Sequence, residues 1–108
     1  MLVITRHPAL VAYLREIGLI GADATVLEHV SDPGVLDGRD VIGVLPLSLA
    51  ARCRTITEVP LALTPADRGV ELSLERIREI AQPPRTWVVR AAEQNIAAPA
   101  PNGTAARA

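Results

Sequence analysis

A small α/β sandwich of three layers, with a mostly parallel sheet of about five strands and about three helices, is the fold this sequence predicts. Short, continuously apolar runs alternate with segments whose apolar residues recur at helical spacing. The apolar runs, such as Met1-Leu2-Val3-Ile4 and Val41-Ile42-Gly43-Val44-Leu45, lack the polar alternation of a strand with one wet face, so they suit a sheet covered on both sides. Twice a strand hands over to a helix through a proline, at Thr5-Arg6-His7-Pro8 and at Leu45-Pro46-Leu47-Ser48. The resulting order, β-α-β-β-α-β-α-β, makes the expected architecture Rossmann-like.

The first strand covers residues 2–5, and its apolar run marks it as a central parallel strand. Pro8 suits the first turn of the helix that follows. Leu10, Tyr13 or Leu14, and Ile17 form its apolar stripe, Arg15 and Glu16 fall outside it, and Gly18 stops it. Thr25 to Val30 reads as a second strand with His29 near its end, a surface or hydrogen-bonded histidine. Ser31-Asp32-Pro33-Gly34 and Asp37-Gly38 are turn signals with room for about one helical turn between them. Asp40 to Pro46 is a buried strand, and residues 47–53 are helix-prone, with Ser48 placed either to cap that helix or to face a ligand. Cys53 reads as a small buried hydrophobe. Residues 55–63 read as a fourth strand, at an edge or bulged at Pro60 because proline cannot donate to a ladder. After a polar loop at 65–72, Ser73 caps a helix that buries Leu74, Ile77 and Ile80 or Ala81. Its Glu75, Arg76, Arg78 and Glu79 form a solvated face. Thr86 to Arg90 is the last strand, so residues 1–90 make one domain and 91–108, rich in Ala and Pro, a disordered tail.

Composition narrows the chemistry. With 108 residues, 49% of them hydrophobic, the chain supports one domain with a small, aliphatic core, since there is one Tyr, one Trp and no Phe. A net charge of −1 and no basic tract argue against long nucleic acid as partner. All 11 basic residues are arginine, which excludes Schiff-base lysines and a P-loop lysine. One cysteine and two histidines leave no disulfide frame and predict no metal site. No glycine-rich nucleotide motif is present, and no cofactor is expected. The apolar runs are too short to span a membrane and no signal pattern opens the chain, so the expected setting is cytoplasmic.

The first corner is the most suggestive stretch. A helix start presents unpaired N–H groups and the positive end of a dipole, and so attracts anions. Arg6 adds a planar fork for phosphate, and His7 adds a group that moves protons near neutral pH. In open α/β sheets ligands sit beyond the carboxyl ends of the strands. Both strand-proline-helix corners would lie there, and the loop of Asp67 to Glu71, which also precedes a helix, reaches the same edge.

Three stretches in order, Thr5-Arg6-His7-Pro8, then Asp40 to Ala51 with its Val-Ile-Gly-x-Leu-Pro core, then Arg68-Gly69-Val70-Glu71-Leu72-Ser73, resemble the signature segments of a small accessory protein of type III CRISPR systems, the Csx sixteen family. The resemblance covers residues 1–90. The chain departs from the pattern at Val44, where a hydroxyl residue is expected, and at Ala9, where glycine is common. The resemblance implies a ring nuclease that binds a cyclic oligoadenylate, chiefly the tetra-adenylate, and cuts it without a metal, as a homodimer with the ring across the two-fold axis. Such a cut needs the ribose 2′-hydroxyl in line with the leaving 5′-oxygen, donors for charge growing on phosphorus, and a proton for the leaving group. On this reading Arg6 and Arg68 clamp phosphate and His7 is the general acid. Thr5, Gly43, Ser48 and the Leu45-Pro46-Leu47 backbone hold ribose or phosphate. Glu71 orients Arg68 or the 2′-hydroxyl. Against it stand a structural Arg68–Glu71 ion pair, an Arg6 paired with a surface carboxylate and a His7 bonded to backbone at the helix start.

Two other functions fit some of the same residues. A sensor or sponge would bind the cyclic ligand without aligning a 2′-hydroxyl. Leu2 to His7 also looks like the start of a histidine phosphatase, but Pro8 stands where that motif continues with glycine, and His29 is the only second histidine.

Overall fold

The computed structural model describes residues 1–92, so the expected tail lies almost wholly outside the described residues. In chain order the elements are β1 (Leu2–Ile4), α1 (Pro8–Glu16), β2 (Thr25–Leu27), a 3-10 turn at Pro33–Leu36, β3 (Asp40–Ile42), α2 (Leu47–Ala50), β4 (Thr55–Glu58), a 3-10 turn at Pro65–Asp67, α3 (Leu74–Ile80) and β5 (Arg85–Trp87). The five strands form one sheet in the order β2-β1-β3-β4-β5. The first four run parallel and β5 is antiparallel to β4.

Both faces of the sheet are covered, as the continuous apolar strands require. Leu2, Ile4, Val41 and Ile56 point to one face, where Leu36 of the first 3-10 turn, Ala50 of α2 and Cys53 just after it meet them. Val3 and Ile42 point to the other, against Val11 and Leu14 of α1 and Ile20. The connection β1-α1-β2 runs one way along the sheet and β3-α2-β4 the other. Right-handed crossovers in opposite directions put their helices on opposite faces, which is the arrangement seen. α3 lies on the α1 side, where Arg78 donates to Glu16 from Nε at 2.8 Å. No described helix is long and apolar enough to cross a membrane.

Local chemistry fixes the boundaries. Pro8 occupies the first turn of α1, and Gly18, with φ of 78°, follows its C-cap Ile17. The buried stripe of α1 is Val11 and Leu14, while Ile17, expected inside, is 42% exposed. The chain turns sharply there, and the amides of Leu19 and Ile20 return to the carbonyl of Leu14, so Ile20 takes the core position. β2 stops at Leu27, three residues short of the expected end, and His29 bonds Ser31 at 3.1 Å beyond it. β5 likewise ends at Trp87 rather than at Arg90.

β4 also differs from expectation. It is an interior strand and ends at Glu58, before Pro60. Residues 60–62 instead turn to meet 80–82: the Pro60 carbonyl accepts from the Gln82 amide (2.8 Å) and the Ala62 amide donates to Ile80 (2.9 Å). Only the carbonyl of Pro60 is used, so its missing N–H costs no bond. α2 is a single turn capped by Pro46, and the Ser48 hydroxyl makes no cap bond. Ser73 does cap α3, accepting from the Arg76 amide at 3.0 Å.

Candidate functional site

The sheet order creates a cleft. From β1 the chain leaves toward β2, and from β3 it leaves toward β4, so the two loops diverge above the carboxyl ends of adjacent strands. Ligands of open α/β sheets bind at such a switch point. A hollow of about 600 Å³ opens there. Its floor is apolar, with Ile4, Leu10, Ile42 and Val59. Thr5, Arg6, His7, Glu28 and Glu58 supply its polar rim.

The β1 corner is held by its backbone and by Thr5, and the Arg6 and His7 side chains take no partner among the described residues. The Thr5 hydroxyl accepts from the His7 amide (3.1 Å), and the Thr5 amide donates to the Leu27 carbonyl of β2 (2.9 Å). The His7 carbonyl accepts from the Leu10 amide (3.0 Å), and its imidazole makes no cap bond. Pro8 lacks an N–H, and the next amide, Ala9, has no carbonyl of its own helix to reach. Arg6 is exposed and forms no ion pair among the described residues, so neither structural alternative for Arg6 and His7 is realised.

Gly43 lies on the same hollow. A side chain at this position would bring Cβ within 2.7 Å of the Ile4 carbonyl oxygen, so β3 can pass β1 this closely only with glycine. Its amide donates to Thr57 in β4 (2.9 Å). Val44 is 80% exposed, on the rim where the resemblance expected a hydroxyl.

The remaining expected site residues lie around the hollow. Leu45 lines an adjoining apolar depression of about 250 Å³ with Leu47, Trp87 and Val89, and this depression shares Gly43, Val44 and Glu58 with the main hollow. Pro46 caps α2, and Ser48 is exposed in its first turn, away from the main hollow. Arg68 lines a separate depression of about 260 Å³ that meets the main hollow at Leu63. Glu71 is exposed and forms no ion pair with Arg68 among the described residues.

Asp67, read from sequence as a turn residue, locks the loop that carries Arg68. One of its carboxylate oxygens accepts from the Thr64 amide (2.8 Å), and both accept from Arg76, Nε at 3.0 Å and Nη2 at 2.9 Å. The Arg76 hydrogen bonds, chiefly, hold the Asp67 carboxyl well below the usual carboxylate range. The same pairing holds the Arg76 guanidinium still more firmly charged. Arg68, one residue on, stays exposed and outside any ion pair among the described residues.

Two carboxylates on the rim were not singled out from the sequence. Glu28 is exposed at the end of β2. Glu58 closes β4, half-buried, and accepts from the Trp87 indole N–H at 3.3 Å. The β4–β5 register sets Arg85 opposite Glu58, but that guanidinium stacks on the Trp87 ring, 5.0 Å from its centroid. Glu58 falls mid-strand in the sequence reading of 55–63; the stop of β4 before Pro60 is what puts it at the carboxyl end of a strand, where site residues of such sheets collect. Cys53 offers no nucleophile: it is buried, its thiol donates to the Leu49 carbonyl, and burial pushes its pKa up.

The rim can therefore bind an anion through Arg6 and the start of α1, move a proton through His7, and accept one through a carboxylate. No curated protein and no solved structure matches the chain. The family described as "Putative CRISPR-associated protein (Cas_VVA1548)" matches residues 2–90, a span that holds both proline corners and the cleft between them, and the chain belongs to that family.

Proposed function

We propose that this protein is a ring nuclease that binds cyclic oligoadenylate, chiefly cyclic tetra-adenylate, and cleaves it by attack of a ribose 2′-hydroxyl, so ending a type III antiviral signal. The observation that carries this reading is the meeting of Arg6 and His7, both without side-chain partners among the described residues, on one hollow at the switch point of the sheet. Arg6 and the α1 amides bind the scissile phosphate and offset charge growing on it. His7 protonates the departing 5′-oxygen. No step calls on a metal, because these groups supply both charge and proton. CRISPR association of the family agrees with such a messenger.

The same reading calls for two copies of the chain. One copy sets Arg6 and His7 against Glu28 and Glu58 on its rim, too little positive charge for a ring with a phosphate at every nucleotide. Two copies face to face add a second Arg6 and bring both Arg68 side chains toward the ring. Val44 and Leu47, at 80% and 75% exposure, line the depression that adjoins the hollow and give that pairing an apolar face.

The decisive experiment is incubation with cyclic tetra-adenylate in EDTA, with products separated by chromatography. Linear products bearing 2′,3′-cyclic phosphate and 5′-hydroxyl ends are expected. Ligand that binds and returns intact would make the protein a sponge. Release of phosphate from an aryl phosphate would favour phosphatase chemistry instead.

A further inference from the structure

We propose that Glu58 is the general base of the cleavage, taking the proton from the attacking 2′-hydroxyl. The inference rests on the ring-nuclease reading and supplies the group that reading lacks, since Arg6 and His7 provide charge and an acid but no base.

Sheet order carries the argument. In an in-line displacement the attacking and leaving oxygens lie on opposite sides of phosphorus, so base and acid must face each other across it. Gly43, which follows β3, lines the hollow between the ends of β1 and β4. His7 stands beyond β1 on one side of it, and Glu58 ends β4 on the other. Two strand spacings, roughly 10 Å, separate β1 from β4, enough to seat a phosphodiester between the two side chains. Glu28 follows β2, outside β1, and so shares the flank of His7.

The surroundings of Glu58 agree. It lines both the main hollow and the adjoining apolar depression. It is half-buried, yet no cation pairs with it among the described residues. Its one described side-chain bond is the Trp87 N–H on Oε1, which orients the carboxylate and leaves Oε2 without a described partner. A half-buried carboxylate that misses its cross-strand arginine does little for stability. It is well placed to accept a proton.

The step balances. The 2′-hydroxyl proton passes to Glu58 as the 2′-oxygen bonds to phosphorus. The bond from phosphorus to the 5′-oxygen breaks, and that oxygen takes the proton of His7. A 2′,3′-cyclic phosphate and a 5′-hydroxyl result, and solvent restores both groups.

The test compares wild type, Glu58→Gln, Glu58→Asp and Glu28→Gln for cleavage of cyclic tetra-adenylate across pH, with binding followed by calorimetry. Glu58→Gln should cleave about 100-fold to 10,000-fold more slowly, as loss of a positioned acid or base does. Its affinity should be unchanged or tighter, and the fall in rate on the acid side of the pH profile should disappear. Glu58→Asp should keep that acid limb at a reduced rate, and Glu28→Gln, which takes a negative charge off the rim, should keep it too while binding the ring no less tightly. If Glu58→Gln fails to fold, the Glu58→Asp profile decides, and full wild-type kinetics in that variant overturns the role. An active Glu58→Gln with its acid limb intact, or transfer of the defect to Glu28→Gln, also overturns it. A wild-type protein that never cuts the ring removes the nuclease reading itself, and the base with it.

Discussion

At the scale of single residues, the proposed cleavage separates binding from chemistry. His7 holds the corner through its backbone: its amide meets Thr5 and its carbonyl meets Leu10. His7→Ala should therefore fold normally, lose cleavage by about 100-fold or more, and keep its affinity within a few-fold, because a leaving-group proton matters in the transition state. Equal rates of single-turnover cleavage in variant and wild type would remove the imidazole from the mechanism. Arg6→Ala should weaken binding as well, by about 1.5–3 kcal/mol for a lost charge-assisted contact, readable by calorimetry. Gly43→Ala tests the fold instead. Its Cβ would press on the Ile4 carbonyl at 2.7 Å, and backbone cannot yield as a side chain does. A loss of about 1–3 kcal/mol is expected for such overpacking, measured by urea denaturation. Arg6 and His7 were legible because an apolar run before them and a proline after them mark a strand-to-helix joint. Glu58 was not, because a glutamate closing a Thr-Ile-Thr-Glu strand looks the same whether it faces a cleft or open water. Only its neighbours in space decide that.

At the scale of elements, the 3-10 turn at Pro65–Asp67 shows how a loop can be as fixed as a helix. Asp67 ties Thr64 on one side to Arg76 of α3 on the other, and its side chain is only 11% exposed. Its folded pKa lies below the unfolded value of about 3.9, so its contribution is fully present above that value and is lost as pH falls through the lowered one. Glu16, bonded to Arg78, and Asp40, bonded to Arg54, are lowered in the same sense. Stability should thus fall steadily below about pH 4. Asp67→Asn should be less stable than wild type at pH 7 but lose less of its remaining stability on acidification, as urea midpoints at several pH values would report. Because the same lock sets Arg68, Asp67→Asn should also bind cyclic tetra-adenylate more weakly. An unchanged affinity would take Arg68 out of the site. Sequence reading found every strand and helix here, since apolar runs, prolines and caps such as Ser73 act locally. It overran the carboxyl end of all five strands, β3 by four residues, and ran α2 on to residue 53 where it stops at Ala50, because those ends are set by partners far along the chain. Residues 60–62 leave the sheet to meet 80–82, a choice that the β-prone run around Pro60 does not announce.

At the scale of the whole molecule, the proposed function depends on where the strand order reverses. The order β2-β1-β3-β4-β5 opens the cleft between β1 and β3 and sets His7 and Glu58 on its two flanks. Local pattern carries no record of that order, since it follows from the direction each crossover takes. The parallel α/β class was legible in the sequence; the cleft had to be seen. The apolar surface beside the cleft leads to the last expectation. Leu47 is too exposed to support the core of one chain, so Leu47→Asp should leave the monomer fold intact by circular dichroism. If two copies enclose one ring, this variant should sediment as a monomer where wild type forms a dimer. Its cleavage should fall because each ring then meets one Arg6 and one Arg68 instead of two. Wild-type specific activity should rise with protein concentration and level off as dimers fill, while the variant stays low throughout. Concentration-independent cleavage, with full activity in a monomeric variant, would mean that one chain holds and cuts the ring alone.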